Sequence, residues 1–146
     1  MLLYLIQLLN FDFPGVNLFT YLSFRAGCAI ITSLLIVLLI GPKFIKAMLS
    51  KQGNGQPIRK DGPKSHLYSK KGTPSMGGLL ILFSFLISTL IWGDIFNSFM
   101  WIVILSAILF GLIGYFDDRK KIRDQNPKGI SSKNKLLLQI LSLIHI

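Results

Sequence analysis

The sequence predicts an all-α, polytopic transmembrane protein with three complete spans followed by a truncated fourth. Three observations predict it. Half of the 146 residues are apolar (51%) and only 15% are charged, a balance more apolar than that of an ordinary soluble domain. Three windows, residues 26–42, 74–92 and 99–116, are apolar over close to the ~20 residues, at ~1.5 Å each, that a hydrocarbon core of ~30 Å requires. The bases are also segregated. Lys43, Lys46, Lys51, Arg59, Lys60, Lys64, Lys70 and Lys71 lie between the first two windows. Arg119, Lys120, Lys121, Arg123, Lys128, Lys133 and Lys135 follow the third, while the connection 93–98 carries only Asp94.

Taken in order, residues 1–24 read as an interfacial lead-in. The run Leu2 to Leu9 is too short to span and is followed by Asn10, Asp12, Pro14 and Gly15. No Lys or Arg precedes Arg25, so the basic n-region of a secretory signal is missing. The first span follows, with Cys28 inside it as a small apolar residue that has no disulfide partner. Residues 43–73 form a loop rich in Gly, Pro and Lys, with a short helical continuation of the first span through Met48. The second span starts at Thr73-Pro74, where Thr73 can cap and Pro74 suits the first helical position. The third span ends at Gly114-Tyr115-Phe116-Asp117-Asp118 and opens a second loop, 117–135. Ser131 or Ser132 can cap a fourth apolar helix, which begins at Leu136 and stops at Ile146 before it could cross a bilayer. The whole chain, 1–146, is one membrane domain.

Charge distribution sets the topology. Two spans separate the basic loops, so both lie on one face, and the positive-inside rule makes that face cytoplasmic and the N-terminus external. The net charge of +10 therefore reflects loops at a membrane surface, where lysines attract anionic lipid. No stacking-aromatic motif accompanies them, and no nucleic-acid partner is expected.

Chemistry concentrates at two places on that face. Asp117 and Asp118 fall at the C-terminal end of a helix over 99–116, where the macrodipole disfavours negative charge by roughly 0.3–1 kcal/mol each. Something cationic should offset them, either Lys120 and Lys121 at helical spacing or a bound divalent metal. Adjacent helical residues point ~100° apart, so the two acids should have unlike roles. The N-terminus of the second span, with Lys70, Lys71 and Thr73, is a plausible phosphate site. Lys133, in the first turn of the fourth helix, opposes the dipole and points to an anionic ligand or headgroup. Carboxylates beside a phosphate site suit Mg²⁺, which binds through one or two carboxylates and substrate phosphates. Gly77, Gly78, Gly111 and Gly114 fit either close helix packing or substrate access to the backbone.

Three stretches of the chain resemble the polyprenyl-phosphate N-acetylhexosamine-1-phosphate transferase superfamily and, within it, the phospho-N-acetylmuramoyl-pentapeptide transferase family of bacterial peptidoglycan synthesis. They are Arg59-Lys60-Asp61-Gly62-Pro63 with Ser65-His66 through Lys71-Gly72-Thr73-Pro74-Ser75-Met76-Gly77-Gly78; Gly114-Tyr115-Phe116-Asp117-Asp118; and Lys128-Gly129-Ile130-Ser131-Ser132-Lys133. The resemblance implies an integral enzyme of the bacterial cytoplasmic membrane. Such an enzyme moves phospho-N-acetylmuramoyl-pentapeptide from UDP-N-acetylmuramoyl-pentapeptide to undecaprenyl phosphate, giving lipid I and UMP, with Mg²⁺ as cofactor. It also allows a homodimer of the complete enzyme. On this resemblance Asp117 and Asp118 are catalytic and metal-binding; our own division of roles has Asp117 orient or deprotonate the lipid phosphate and gives Asp118 the metal or a supporting place behind it. Lys70, Lys71 and Thr73 would hold nucleotide or phosphate, and Lys121 and Lys133 would steer anions. Family members carry further spans, an Asn/Asp-rich motif, a third acidic residue and a His-rich loop, so the chain is expected to be an N-terminal fragment. The alternatives are a sister transferase using UDP-N-acetylglucosamine and a non-catalytic membrane module whose basic loops bind lipid.

Overall fold

A computed structural model describes residues 2–8, 15–53, 73–126 and 129–144, and among these every regular element is helical. The elements are α1 (Leu2–Leu8), a 3₁₀ turn (Val16–Thr20), α2 (Leu22–Gln52), α3 (Gly77–Trp92), α4 (Ser98–Arg123) and α5 (Ser132–Ile144). Helices α2 and α4 are long and apolar enough to cross a membrane, and only 6% and 11% of their apolar windows are buried. The core helix of a soluble protein would bury such a window. Here Ile30, Ile31, Leu34, Leu35, Leu38 and Leu39 on α2 and Trp101, Val103 and Leu105 on α4 stay exposed, as side chains facing lipid do. The chain is a helical membrane protein.

The boundaries depart from the sequence windows in instructive ways. Helix α2 begins at Leu22 and continues to Gln52, well past residue 42, and it runs through Pro42 without a break. Tertiary packing supports it there, since the neighbouring Gly41 is buried with Leu80 of α3 in van der Waals reach. Its 31 residues would extend ~46 Å at 1.5 Å per residue, so the segment with Lys43, Lys46 and Lys51 projects beyond the apolar layer. Helix α3 is the reverse case. It holds 16 residues, ~24 Å, short of a ~30 Å core without thinning or flanking extension.

Helices α2 and α3 are joined by a seam of small polar side chains. Ser33 Oγ donates to Ser84 Oγ at 3.2 Å, and Trp92 Nε1 donates to Thr32 Oγ1 at 3.0 Å. Ser84 and Ser88 also bond back to Ile81 O and Ser84 O, so the hydroxyls are satisfied although Ser84 is 0% exposed. Between helices in lipid, where no hydrophobic force distinguishes partner from solvent, small residues and hydroxyl bonds provide the association. Gly111 serves α4 in the same way, because a Cβ there would collide with the Leu82 side chain of α3.

The bundle has two unlike ends. At one, Phe19 stacks on Trp92, Tyr4 meets Phe96 edge-on, and Trp101 Nε1 donates to Ile95 O; this is the aromatic composition of a membrane interface. The lead-in is therefore packed against the connection after α3. At the other end Gln52 of α2 is hydrogen-bonded to Ser75 just before α3, and α4 delivers Asp117 to the start of α5. Replacing Ser84 with leucine should destabilise the α2–α3 pair by about 1–3 kcal/mol through overpacking, whereas Ser84→Ala should cost about 0.6 kcal/mol. Reversible unfolding in mixed micelles measures both.

Candidate functional site

Helix α4 does not stop at Phe116. It continues through the acids to Arg123, and three features explain the extension. Lys120, Lys121 and Arg123 occupy its last turn, where cations complement the dipole. Asn126 N–H bonds to Lys121 O, and Gln125 N–H to Ile122 O, closing the end in a Schellman pattern. Gln125 takes the left-handed conformation, φ 46°, that this pattern requires. Asp117 and Asp118 thus lie inside the helix, more than a turn before its end, and not at its C-terminus as the apolar window suggested.

Asp117 is the most tightly held polar group of this end. It is only 5% exposed. Its Oδ1 accepts from Ile130 N–H at 2.9 Å, while Oδ2 meets Lys121 Nζ at 2.6 Å and Lys135 Nζ at 3.4 Å. Gly129 makes this approach possible. Its φ is +62°, and a Cβ there would sit 2.5 Å from Asp117 Oδ1 and 2.8 Å from Lys121 Cε. Asp118 is half-buried, and among the described residues its contact is Lys121 Nζ at 3.5 Å. The expectation of unlike roles for the two acids thus has a structural counterpart in unlike environments.

The remaining expected residues divide. Lys121 joins the acids directly, bridging both. Lys133 is exposed on the first turn of α5, and the lysine that reaches Asp117 is Lys135, two positions on. Residues two apart on a helix point ~200° away from each other, so Lys133 does not share the contact with Asp117 that Lys135 makes. Thr73 does not cap α3. The N-cap is Met76, with φ 75° and no side-chain cap bond, so the helix starts at Gly77 and leaves Pro74 in the non-helical segment before it. Lys70 and Lys71 lie outside the described residues.

Sequence reasoning missed Gln52. Its side-chain amide accepts from Ser75 N–H at 2.9 Å and donates to Ser75 O at 3.2 Å, pairing with the backbone as a neighbouring strand would. Gln52 and Ser75 are both buried, and Ser75 Oγ is buried without a hydrogen-bond partner among the described residues. Nothing in the composition of the loop signals this clamp. It fixes the segment 73–76 at the N-terminus of α3, and the antiparallel course of α3 and α4 puts that terminus at the same end as Asp117.

Among the described residues no group of three or more His, Cys, Asp or Glu converges as a metal site. Asp117 is a poor ligand for a divalent cation, because two ammonium groups already contact its Oδ2. Asp118 fits the single-carboxylate mode that Mg²⁺ uses when phosphates supply other ligands. Comparison with known families gives a match over residues 70–82, whose described part, from Thr73 on, enters α3: phospho-N-acetylmuramoyl-pentapeptide-transferase signature 1. Gly129→Ala should add ~1–2 kcal/mol of left-handed strain as well as the contact with Asp117, and so raise hydrogen exchange at the Ile130 amide. Lys135→Met should raise it too, while Lys133→Met leaves it unchanged.

Proposed function

We propose that this chain, which carries a phospho-N-acetylmuramoyl-pentapeptide transferase signature over residues 70–82, is part of the machinery that transfers phospho-N-acetylmuramoyl-pentapeptide from UDP to undecaprenyl phosphate, forming lipid I and UMP in peptidoglycan synthesis. The observation that carries the reading is one of place: the signature segment enters α3 at the end of the bundle where α4 presents its two carboxylates and Lys121. In the proposed topology α2, α3 and α4 are three spans, with α5 opening a fourth. The N-terminus and aromatic end face the periplasm, and the basic loops lie at the cytoplasmic face, where a nucleotide substrate arrives.

In this reading an oxygen of undecaprenyl phosphate attacks the β-phosphorus of the UDP-sugar. The bond from that phosphorus to the bridging oxygen breaks, and UMP leaves with the electron pair. Two anions must meet, so the site must lower their repulsion. Lys121 would supply fixed positive charge, as would Lys70 and Lys71, which precede α3 in the sequence. Mg²⁺, when bound through Asp118 and substrate phosphates, would add Lewis-acid stabilisation of the leaving group. The acidic pair stays at the centre, and Lys133, exposed on α5, is left with long-range steering of anionic substrates or headgroups. A homodimer of the complete enzyme remains part of the proposal.

The test is Mg²⁺-dependent UMP release from UDP-N-acetylmuramoyl-pentapeptide in membranes containing undecaprenyl phosphate, with the chain supplied alone and within its complete reading frame. Release that requires Mg²⁺ and falls at least ~10³-fold in Asp118→Asn is expected, at the scale of removing a group essential to the chemical step. Release from UDP-N-acetylglucosamine instead would move the assignment to the sister transferase. Release from neither would end the enzymatic reading.

A further inference from the structure

The two adjacent acids are usually expected to act together, yet the fold treats them oppositely. Asp117 has three donors, from Ile130 N–H, Lys121 and Lys135, and a side chain only 6% exposed. Asp118 has a side chain 29% exposed and, among the described residues, a single, longer ion pair, to Lys121 at 3.5 Å. A substrate phosphate approaching Asp117 would have to displace an ammonium group from a buried carboxylate, and the Gly129 backbone closes against Oδ1.

We infer that Asp117 is a positioning residue, whose buried charge holds Lys121 and Lys135 together, and that Asp118 is the carboxylate of the pair that meets substrate. The inference rests on the phosphoryl-transfer reading and reverses the order of roles expected from the sequence. Its physical content lies in the two ammonium groups. Both contact Asp117 Oδ2, so they are no more than about 6 Å apart, the two contact distances laid end to end. Without the carboxylate they repel each other, partly screened because the Lys135 side chain is 42% exposed while that of Lys121 is 15% exposed. Lys121 then keeps only Asp118 as a carboxylate partner among the described residues, its position no longer fixed by Asp117, and the ion pair from Lys135 of α5 to α4 is lost. Asp117 thereby sets where Lys121 stands beside Asp118 without itself contacting substrate.

A positioning role and a chemical role differ in whether charge balance can restore function. In the full chain within its complete reading frame, Asp117→Asn should lower kcat for UMP release by about 100-fold, and Asp118→Asn by about 1000-fold or more. Adding Lys135→Met to Asp117→Asn removes the unpaired cation and should recover at least about tenfold in kcat with KM changed less than about threefold. Adding it to Asp118→Asn should recover nothing. Labelling of carboxylates with a water-soluble carbodiimide and an amine, read by mass spectrometry, tests the same point independently of activity. Asp118 should be modified at least about tenfold faster than Asp117. Equal or reversed labelling rates overturn the inference. So does a double variant as inactive as Asp117→Asn while its Ile130 amide remains protected from exchange. If the unaltered protein releases no UMP, the transfer reading fails, and the labelling rates still decide which carboxylate is reachable.

Discussion

A buried carboxylate near the end of an apolar helix is the constraint to which the rest of this end conforms. Taking Asp117 out of water is costly unless its charge is paired and its lone pairs are filled. The chain meets that demand with three donors from three places: Lys121 one turn along the same helix, the Ile130 amide after the turn, and Lys135 on the next helix. Each makes a further demand. Lys121 can serve only if α4 stays helical beyond Phe116, which the Schellman closure at Gln125 and Asn126 secures. Ile130 can serve only if the preceding residue allows the backbone to come close, and Gly129, at φ +62°, does so. Lys135 can serve only if α5 begins where it does. A single ionised group thus specifies the length of one helix, the conformation of a turn and the start of another helix.

The opposite end of the bundle is built on different physics. There the lead-in, Trp92, Phe96 and Trp101 pack rings and donate indole N–H groups to nearby oxygens, which suits a zone that is apolar on one side and wet on the other. Between the ends, Ser33, Ser84 and Gly111 let α2, α3 and α4 approach closely. The polar end is therefore held by ion pairs and the Gln52 clamp, on helices whose outer faces are apolar and exposed.

Hydropathy and charge segregation made the all-helical membrane class, the turn-back at 93–98 and the need of the acids at 117 and 118 for a cationic partner legible in the sequence. These depend on averages over many residues or on acids placed where an apolar run ends. The helix boundaries were less legible. The extension of α2 to Gln52 depends on what α3 packs against it, and the late start of α3 at Gly77 depends on Met76 taking a left-handed conformation that Thr73-Pro74 did not announce. That Lys135 reaches Asp117 depends on helical phase, which cannot be set until the first residue of α5 is known. The Gln52–Ser75 pairing joins residues far apart in sequence through a generic polar side chain, and no local pattern marks it.

The claim that Asp117 organises this end is tested most directly by a double-mutant cycle on Asp117 and Lys121, read as unfolding free energy with Asp117→Asn, Lys121→Met and the combined variant. A buried, hydrogen-bonded pair that other elements depend on should give a coupling of about 2 kcal/mol or more, whereas exposed pairs at the same helical spacing give about 0.3–0.5 kcal/mol. A coupling in the lower range would show that the contact is a surface arrangement on which nothing else rests, and would contradict the account.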